Sequence, residues 1–408
     1  MTQGATQGAT GVPGDGATAE APSSIRSVTD RCTTKNYARY PVAFTHGSGC
    51  RLWDEDGREY LDLFAGLAVS SLGHAHPALV AAIREQAGKL LHTSNLFYHE
   101  PGARLAGRLV ELTFADRVFF CNSGAEANEA AIKMARRASG GRFKIVSAHG
   151  SFHGRTYGAL AATGQPGLQE GFGPMLEGFV HVEPCSADAV AAAVGDDTAA
   201  VIVEPIIGEG GVVVPPPGYL AALREICDRS GAKLILDEVQ TGNGRTGRLF
   251  AYEHEGVRPD IVTTAKGLGG GLPIGAVLAR EDVAAAFVPG SHGTTFGANP
   301  VCCAAALAVL DQLTDGGVIA NAARVGDYFL AKLRDALAGR DDVVEVRGQG
   351  LLIGVEFRVE TKPFVNDLLA RGVVANATAG TVLRLIPPLI LTEDEVDEGV
   401  SALLEVLP

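Results

Sequence analysis

In 233-KLILDEVQTG-242 an apolar run, Leu234-Ile235-Leu236, leads directly into two carboxylates, Asp237 and Glu238. Such a run reads as a strand buried in a parallel sheet. A charge at its end is costly unless a cation or hydrogen-bond donors meet it. Further on, 263-TTAKGLGGGLPIG-275 sets Lys266 behind β-branched residues and ahead of glycines 267, 269, 270 and 271. A lysine held at a strand end and partly desolvated would have a lowered pKa and a usable amine nucleophile. The glycines would let backbone and a ligand approach closely. In 121-CNSGAEAN-128 the N–H groups of Gly124 and Ala125 open a helix beside Ser123, a setting suited to a phosphate. In 151-SFHGRT-156, Phe152 could stack on a flat ring and Arg155 could clamp a carboxylate through two nitrogens.

Taken singly, each stretch has an ordinary reading: an N-cap and turn, a packed Phe with a surface Arg, a solvated loop lysine. His153 by itself points to neither a ligand nor a catalyst. Together, an acid and a lysine at strand ends, an anion-binding helix start and a stacking ring are the parts that pyridoxal 5′-phosphate needs. Lysine takes the aldehyde, the aspartate holds the pyridinium nitrogen protonated, and the phosphate sits on the helix N-terminus. On that reading, Asp237 faces the pyridinium N–H.

The elements that would position these residues alternate. Strand 117–121 precedes helix 125–138, which is followed by strand 143–147; strand 199–204 precedes helix 216–231, and strand 233–237 precedes strand 260–266. This predicts an α/β fold with a mainly parallel central sheet, whose ligands sit at the carboxyl ends of the strands. Before it, residues 41–63 read as a β-meander with turns at HGSG and DEDG, and 77–91 as a helix begun by Pro77. After about residue 310, long helices and the short strands 343–347, 351–357 and 382–386 read as α+β. The expected division is a low-complexity tail over 1–25, a large cofactor-binding domain over 76–310, and a smaller α+β domain formed by both chain ends (26–75 and 311–408).

Composition narrows the function classes. The net charge of −13 with no basic patch excludes a nucleic-acid or anionic-membrane partner. Apolar runs such as 301-VCCAAALAVL-310 are too short to span a bilayer. The first 24 residues lack Lys, Arg before Arg26 and an apolar core, so neither a signal nor a transit peptide is expected. Seven scattered cysteines without CxxC pairing fit reduced thiols in a cytoplasm. No metal site is expected.

These motifs, with 53-WDEDGREYLDL-63, 73-GHAHP-77, 203-VEPIIGEGGV-212, 236-LDEVQTGNGRTG-247, 292-HGTTFGANP-300 and 346-VRGQGLLIGVE-356, resemble the class III (fold type I) pyridoxal-phosphate-dependent aminotransferases. The resemblance runs from about Tyr37 to the C-terminus, and within the class it is strongest to the acetylornithine group. It implies Lys266 as the Schiff-base lysine and Asp237 as the pyridinium partner, with Glu238, Val239 and Gln240 around the ring. Phe152 would be the stacking aromatic, and Ser123, Gly124 and Ala125 the phosphate cradle. Thr295 would reach the phosphate of a neighbouring subunit's cofactor, which makes a homodimer obligatory, and Thr294 would touch substrate. Arg155 would bind the substrate carboxylate remote from the reacting amine. Glu209 would shield Arg384 until 2-oxoglutarate arrives, and Tyr37 would lie at the donor's distal end. The implied reaction moves the δ-amine of N²-acetylornithine to 2-oxoglutarate. Ornithine, succinylornithine, succinyl-diaminopimelate or 4-aminobutyrate stay open as donors, and an aminomutase or decarboxylase as another chemistry on the same fold.

Overall fold

The computed structural model describes residues 24–407. Almost all of the low-complexity tail expected over residues 1–25 lies outside that range. The chain first forms a small antiparallel meander, β1 (Phe44–Ser48), β2 (Arg51–Asp54) and β3 (Glu59–Asp62). The large sheet follows with β4 (Arg117–Cys121), β5 (Lys144–Ala148), β6 (Phe179–Val182), β7 (Thr198–Val203), β8 (Lys233–Asp237), β9 (Ile261–Thr264) and β10 (Gly275–Ala279). The C-terminal strands are β11 (Val343–Gln349), β12 (Leu352–Phe357), β13 (Val373–Val374), β14 (Asn376–Thr378) and β15 (Val382–Leu385).

The large sheet has the order β4-β10-β9-β8-β7-β5-β6. Neighbours from β9 through β6 run parallel, while β10 is antiparallel to both β4 and β9. β8 is therefore the middle strand. Leu234, Ile235 and Leu236 in it are fully buried, as an all-apolar strand covered on both faces requires. Helix Gly124–Ala138 packs an alanine-rich face, with Ala127, Ala130, Ala131 and Ala135 buried, against this sheet. The small side chains let the helix axis come close and bring its N-terminus to the strand ends.

Two smaller sheets use the chain ends. In the first, β13 lies parallel to β3, with Val373 opposite Leu61, so residues over 300 positions apart share one sheet. The second has the order β11-β12-β15-β14. Strands β6 and β10 and the short pair β13 and β14 are absent from the sequence reading; Gly275 and the short, mostly polar Asn376-Ala377-Thr378 carry little strand periodicity. The expected strand 260–266 stops at Thr264, and Lys266 opens a 3₁₀ turn instead.

One expected site residue has another task. Glu238, expected at the cofactor, is fully buried with its carboxylate turned into the following loop. It accepts from Thr241 Oγ1 at 2.5 Å and from the backbone N–H groups of Tyr252 and Ala251 at 2.9 and 3.0 Å. Alternation along an extended chain sends it away from the face that Asp237 occupies.

Burial pushes the Glu238 carboxyl up to about 7, against the opposing pull of those three donors. The native state thus keeps a proton that the unfolded chain has already released. Its stabilising effect is complete below the ordinary carboxyl pKa and is lost as pH rises through about 7. The Glu238→Gln variant is expected to show a flatter fall of Tm between pH 5 and pH 8 than the parent. Calorimetric melts across that range check it, and parallel pH profiles would count against this account.

Candidate active site

The carboxyl ends of β4, β5, β7, β8 and β9 surround a cavity of about 430 Å³. Asp237 lies on its wall, 3% exposed. Its Oδ2 accepts from His153 Nδ1 and from Asn128 Nδ2, both at 2.7 Å, and its Oδ1 accepts from the Val239 N–H at 3.0 Å. Because a carboxylate only accepts, the proton of His153 sits on Nδ1. Asn128 is fixed in turn, its Oδ1 accepting from Thr263 Oγ1 at 2.8 Å and its Nδ2 also donating to the His153 carbonyl at 2.7 Å. Three donors therefore hold a buried anion with one side facing open space.

Lys266 faces the same cavity. Its backbone has φ +43°, a left-handed conformation rare for a lysine and held only because the turn around it demands it. Its Nζ has no hydrogen bond or ion pair among the described residues. Burial pulls the ammonium pKa below its ordinary value and the charge of Arg384 adds to this, while Glu209, Asp237 and Glu204 oppose it. The effect is to increase the share of neutral amine, the form that attacks a carbonyl.

Beside them, Ser123 caps helix Gly124–Ala138 by accepting from Glu126 N–H at 3.2 Å. The N–H groups of Gly124 and Ala125 have no intrahelical acceptor and point to the helix mouth. A Cβ on Gly124 would lie 2.7 Å from Val239 Cγ1, so only glycine lets the helix start close on Val239. Phe152 is half-buried on the cavity wall, with the exposed Arg155 guanidinium 5.6 Å above its ring.

On the far wall Glu209 and Gln240 are backed by Arg384. Arg384, only 1% exposed, donates from Nη1 to Glu209 Oε1 at 2.6 Å. Gln240 joins both, donating from Nε2 to Glu209 at 3.2 Å and accepting from Arg384 Nη1 at 3.1 Å. Burial alone would raise the Glu209 carboxyl, but the Arg384 charge outweighs it, with Lys266 adding, and holds it below its ordinary value.

Most of the expected site residues thus meet in one cavity of a single chain. Five do not line it: Glu238 turns into the following loop, and Arg384 stands behind Glu209 and Gln240, which do. Thr294 reaches its rim, accepting from Asn122 Nδ2 at 3.0 Å. Thr295 is exposed on the surface beside it. Tyr37 is 69% exposed, its ring covered by Arg39 at 5.6 Å.

The sequence reading missed His153, Asn128 and Glu204. Nothing local in the sequence distinguishes His153. Asn128 stands one helical turn after Gly124, on the face that meets β9. Glu204 follows the buried strand β7 as Asp237 ends β8, so the same burial argument could have found it. Its two oxygens accept from Phe152 N–H at 2.9 Å and Gly208 N–H at 3.0 Å, tying the Phe152 loop to the Glu209 segment. Burial pushes its carboxyl up to about 7; His153 opposes that and Asp237 reinforces it.

This donor set fits pyridoxal 5′-phosphate. It offers a free lysine, a fixed carboxylate at the cavity wall, and an open helix mouth closed down by a glycine. The comparisons with known proteins agree. The model of the aminotransferase class III family matches residues 32–407. An acetylornithine aminotransferase of Mycobacterium bovis is 53% identical over 379 residues, 91% of this chain and 93% of the relative. Another, of Methanothermobacter thermautotrophicus, is 50% identical over 373 residues, 91% of this chain and 95% of the relative. Among solved structures, the ornithine aminotransferase of Toxoplasma gondii superposes with a TM-score of 0.90 at 36% identity, covering 93% of both chains. The acetylornithine aminotransferase of Elizabethkingia anophelis gives 0.84 at 32% identity, covering 93% of this chain and 97% of that one. The chain belongs to the class III aminotransferases, fold type I enzymes that depend on pyridoxal 5′-phosphate.

Proposed function

We propose that this enzyme transfers the δ-amine of N²-acetyl-L-ornithine to 2-oxoglutarate, giving N-acetyl-L-glutamate 5-semialdehyde and L-glutamate, a step of arginine biosynthesis. The relatives named for that activity support the donor. The observation that carries the acceptor is Arg384 paired behind Glu209, which lines the cavity. A pocket that must take a donor with a neutral acylated end and then a dicarboxylate needs a cation that can be covered and uncovered.

Bound in the cavity, pyridoxal 5′-phosphate supplies a carbonyl carbon that accepts an amine and an aromatic ring that withdraws electrons from the carbon bearing it. Lys266 would hold the cofactor and, as a neutral amine, would take a proton from the donor's amine-bearing carbon as general base and return one as general acid. Asp237, fixed by His153, Asn128 and the Val239 N–H, keeps a proton on the ring nitrogen. Gly124, Ala125 and Ser123 hold the phosphate, and Phe152 and Val239 flank the ring. Arg155 takes the donor's carboxylate. Glu209 covers Arg384 during the donor half-reaction and withdraws for the α-carboxylate of 2-oxoglutarate.

A second copy of the chain completes the site in this reading. Leu96, Phe97, Tyr98 and Phe296 are 86, 67, 104 and 61% exposed, an apolar surface that water does not favour. Asn95 Nδ2 bonds the carbonyls of Thr294 and Gly297 at 3.2 and 2.9 Å, which joins this surface to the loop carrying Thr295. Burying it against a twofold-related copy would bring Thr295 to the partner's cofactor phosphate. Unpaired thiols at all seven cysteines and the absence, among the described residues, of any single helix long and apolar enough to cross a membrane suit a cytoplasmic enzyme.

The reading is tested by mixing the cofactor-loaded enzyme, without acceptor, with acetylornithine, ornithine, succinylornithine and 4-aminobutyrate in turn and timing the spectral change. Acetylornithine is expected to react fastest, and a faster rival would replace it as the donor. Lys266→Ala is expected to lose covalent cofactor on denaturing mass analysis and about 10²- to 10⁴-fold or more of turnover. A Lys266→Ala protein with parental turnover would overturn the mechanism. Glu209→Ala leaves Arg384 uncovered, so preference should shift from acetylornithine towards dicarboxylate amino donors such as glutamate. An unaltered donor ratio in competition assays would remove the gate.

A further inference from the structure

A guanidinium presents five N–H groups. Nη1 of Arg384 donates to Glu209 Oε1 and Gln240 Oε1. Nε and Nη2 donate to one and the same oxygen, Oδ1 of Asn376, at 3.1 and 2.7 Å. The second Nη2 hydrogen has no partner among the described residues. Nε–H and the Nη2–H beside it form the side fork of the group, and the Nη1/Nη2 pair forms its end fork. Asn376 fills the side fork with a single neutral acceptor.

The fold fixes this arrangement. β14 runs antiparallel to β15, with Asn376 directly opposite Arg384. Two residues on, along the same face of that strand, Thr378 Oγ1 donates to the Glu209 carbonyl at 2.5 Å. One short strand therefore touches both halves of the pair, Arg384 through its side chain and Glu209 through its backbone. Nothing in this contact depends on where the Glu209 carboxylate points.

We propose that Asn376 is a positioning residue for the acceptor half-reaction, resting on the reading of Arg384 as the site of the acceptor's α-carboxylate. By occupying the side fork, Asn376 sets the plane of the guanidinium and leaves only the end fork to be exposed when Glu209 withdraws. A planar carboxylate then finds two parallel N–H donors already aligned, one on Nη1 and the free one on Nη2. The amide is neutral, so it orients Arg384 without cancelling the charge that selects a dicarboxylate. The donor half-reaction, in which Glu209 stays on Arg384, has no need of this alignment.

The test separates the half-reactions of the cofactor-loaded enzyme. In Asn376→Leu, half-saturation of the pyridoxamine-phosphate form by 2-oxoglutarate is expected to rise roughly 10- to 100-fold, the range for a hydrogen bond to a charged group. The rate with acetylornithine should stay within about twofold, well below that range. Glutarate, an unreactive dicarboxylate, should show the same weakening in calorimetric binding. Asn376→Asp keeps an oxygen at the fork but adds a negative charge, and carries the test if the leucine variant does not fold. It should weaken 2-oxoglutarate and glutarate while sparing the donor step. Unchanged acceptor half-saturation and glutarate binding in both variants, or an equal loss in both half-reactions, overturns the proposal. Arg384→Gln tells its failure from that of the underlying reading. If that variant loses 2-oxoglutarate while the Asn376 variants do not, only Asn376 is wrong. If it too binds 2-oxoglutarate as the parent does, the gate itself is wrong.

Discussion

Asp237 ends the middle strand of the large sheet, where burial leaves it 3% exposed and an unpaired charge would be destabilising by several kcal/mol. Its surroundings answer that cost with fixed donors rather than with a lysine or arginine. His153, Asn128 and the Val239 N–H together satisfy it, and Asn128 is itself locked by Thr263. These donors leave one side of the carboxylate facing the cavity, which a protonated ring nitrogen can complete. The helix that supplies Asn128 is the one whose N-terminus opens at the phosphate cradle, so one alanine-faced packing interface sets both ends of the cofactor site.

Three acids lie at the ends of adjacent buried strands, and their partners give each a different task. Asp237 faces the cavity. Glu204 lies on its wall but spends both oxygens on the N–H groups of Phe152 and Gly208, which fixes the Phe152 loop relative to the Glu209 segment. Glu238 turns inward and organises the loop through Thr241, Ala251 and Tyr252. Lys266 feels the charges of Glu209, Arg384, Asp237 and Glu204. Burial dominates, so its amine is easier to deprotonate although acids surround it.

Much of this was legible in the chain. The strand ending at Asp237, the helix opening at Gly124 and the lysine before a glycine run are local signals, and a buried apolar strand of β8's kind has one good interpretation. What the sequence hid was of two kinds. His153 and Asn128 act only through Asp237, a contact made across 84 and 109 residues, and neither has a spacing that announces it. Glu238 is the opposite case: it sits beside Asp237 in sequence, and the alternation of an extended chain, which was available, sends it to the other face. β14 escaped notice because three polar-leaning residues make a poor strand on their own. They pair because β15 offers an edge, so the partner of Arg384 became visible only with the register.

On the proposed reading, the Glu209–Arg384 pair is a switch rather than a brace. Removing one partner of such a pair is ordinarily destabilising by about 3–5 kcal/mol, because a charge is left buried and bare. On the proposed reading Arg384 is never bare, since Gln240 and Asn376 remain and one carboxylate replaces another. The exchange of Glu209 for a substrate carboxylate is then close to isoenergetic, a property that lets one pocket alternate between two ligands. The backbone around Glu209 supports this division of labour. Arg347 donates to the carbonyls of Gly211 and Val212 at 2.7 and 2.9 Å, Thr378 holds the Glu209 carbonyl, and Glu204 holds the Gly208 N–H. Val212 is kept at φ +53°, a conformation that a β-branched residue adopts only under constraint. With the main chain pinned from both the large sheet and the C-terminal one, the motion left to Glu209 is rotation of its own side chain. That is a small movement, with little order to lose or regain at each half-turnover.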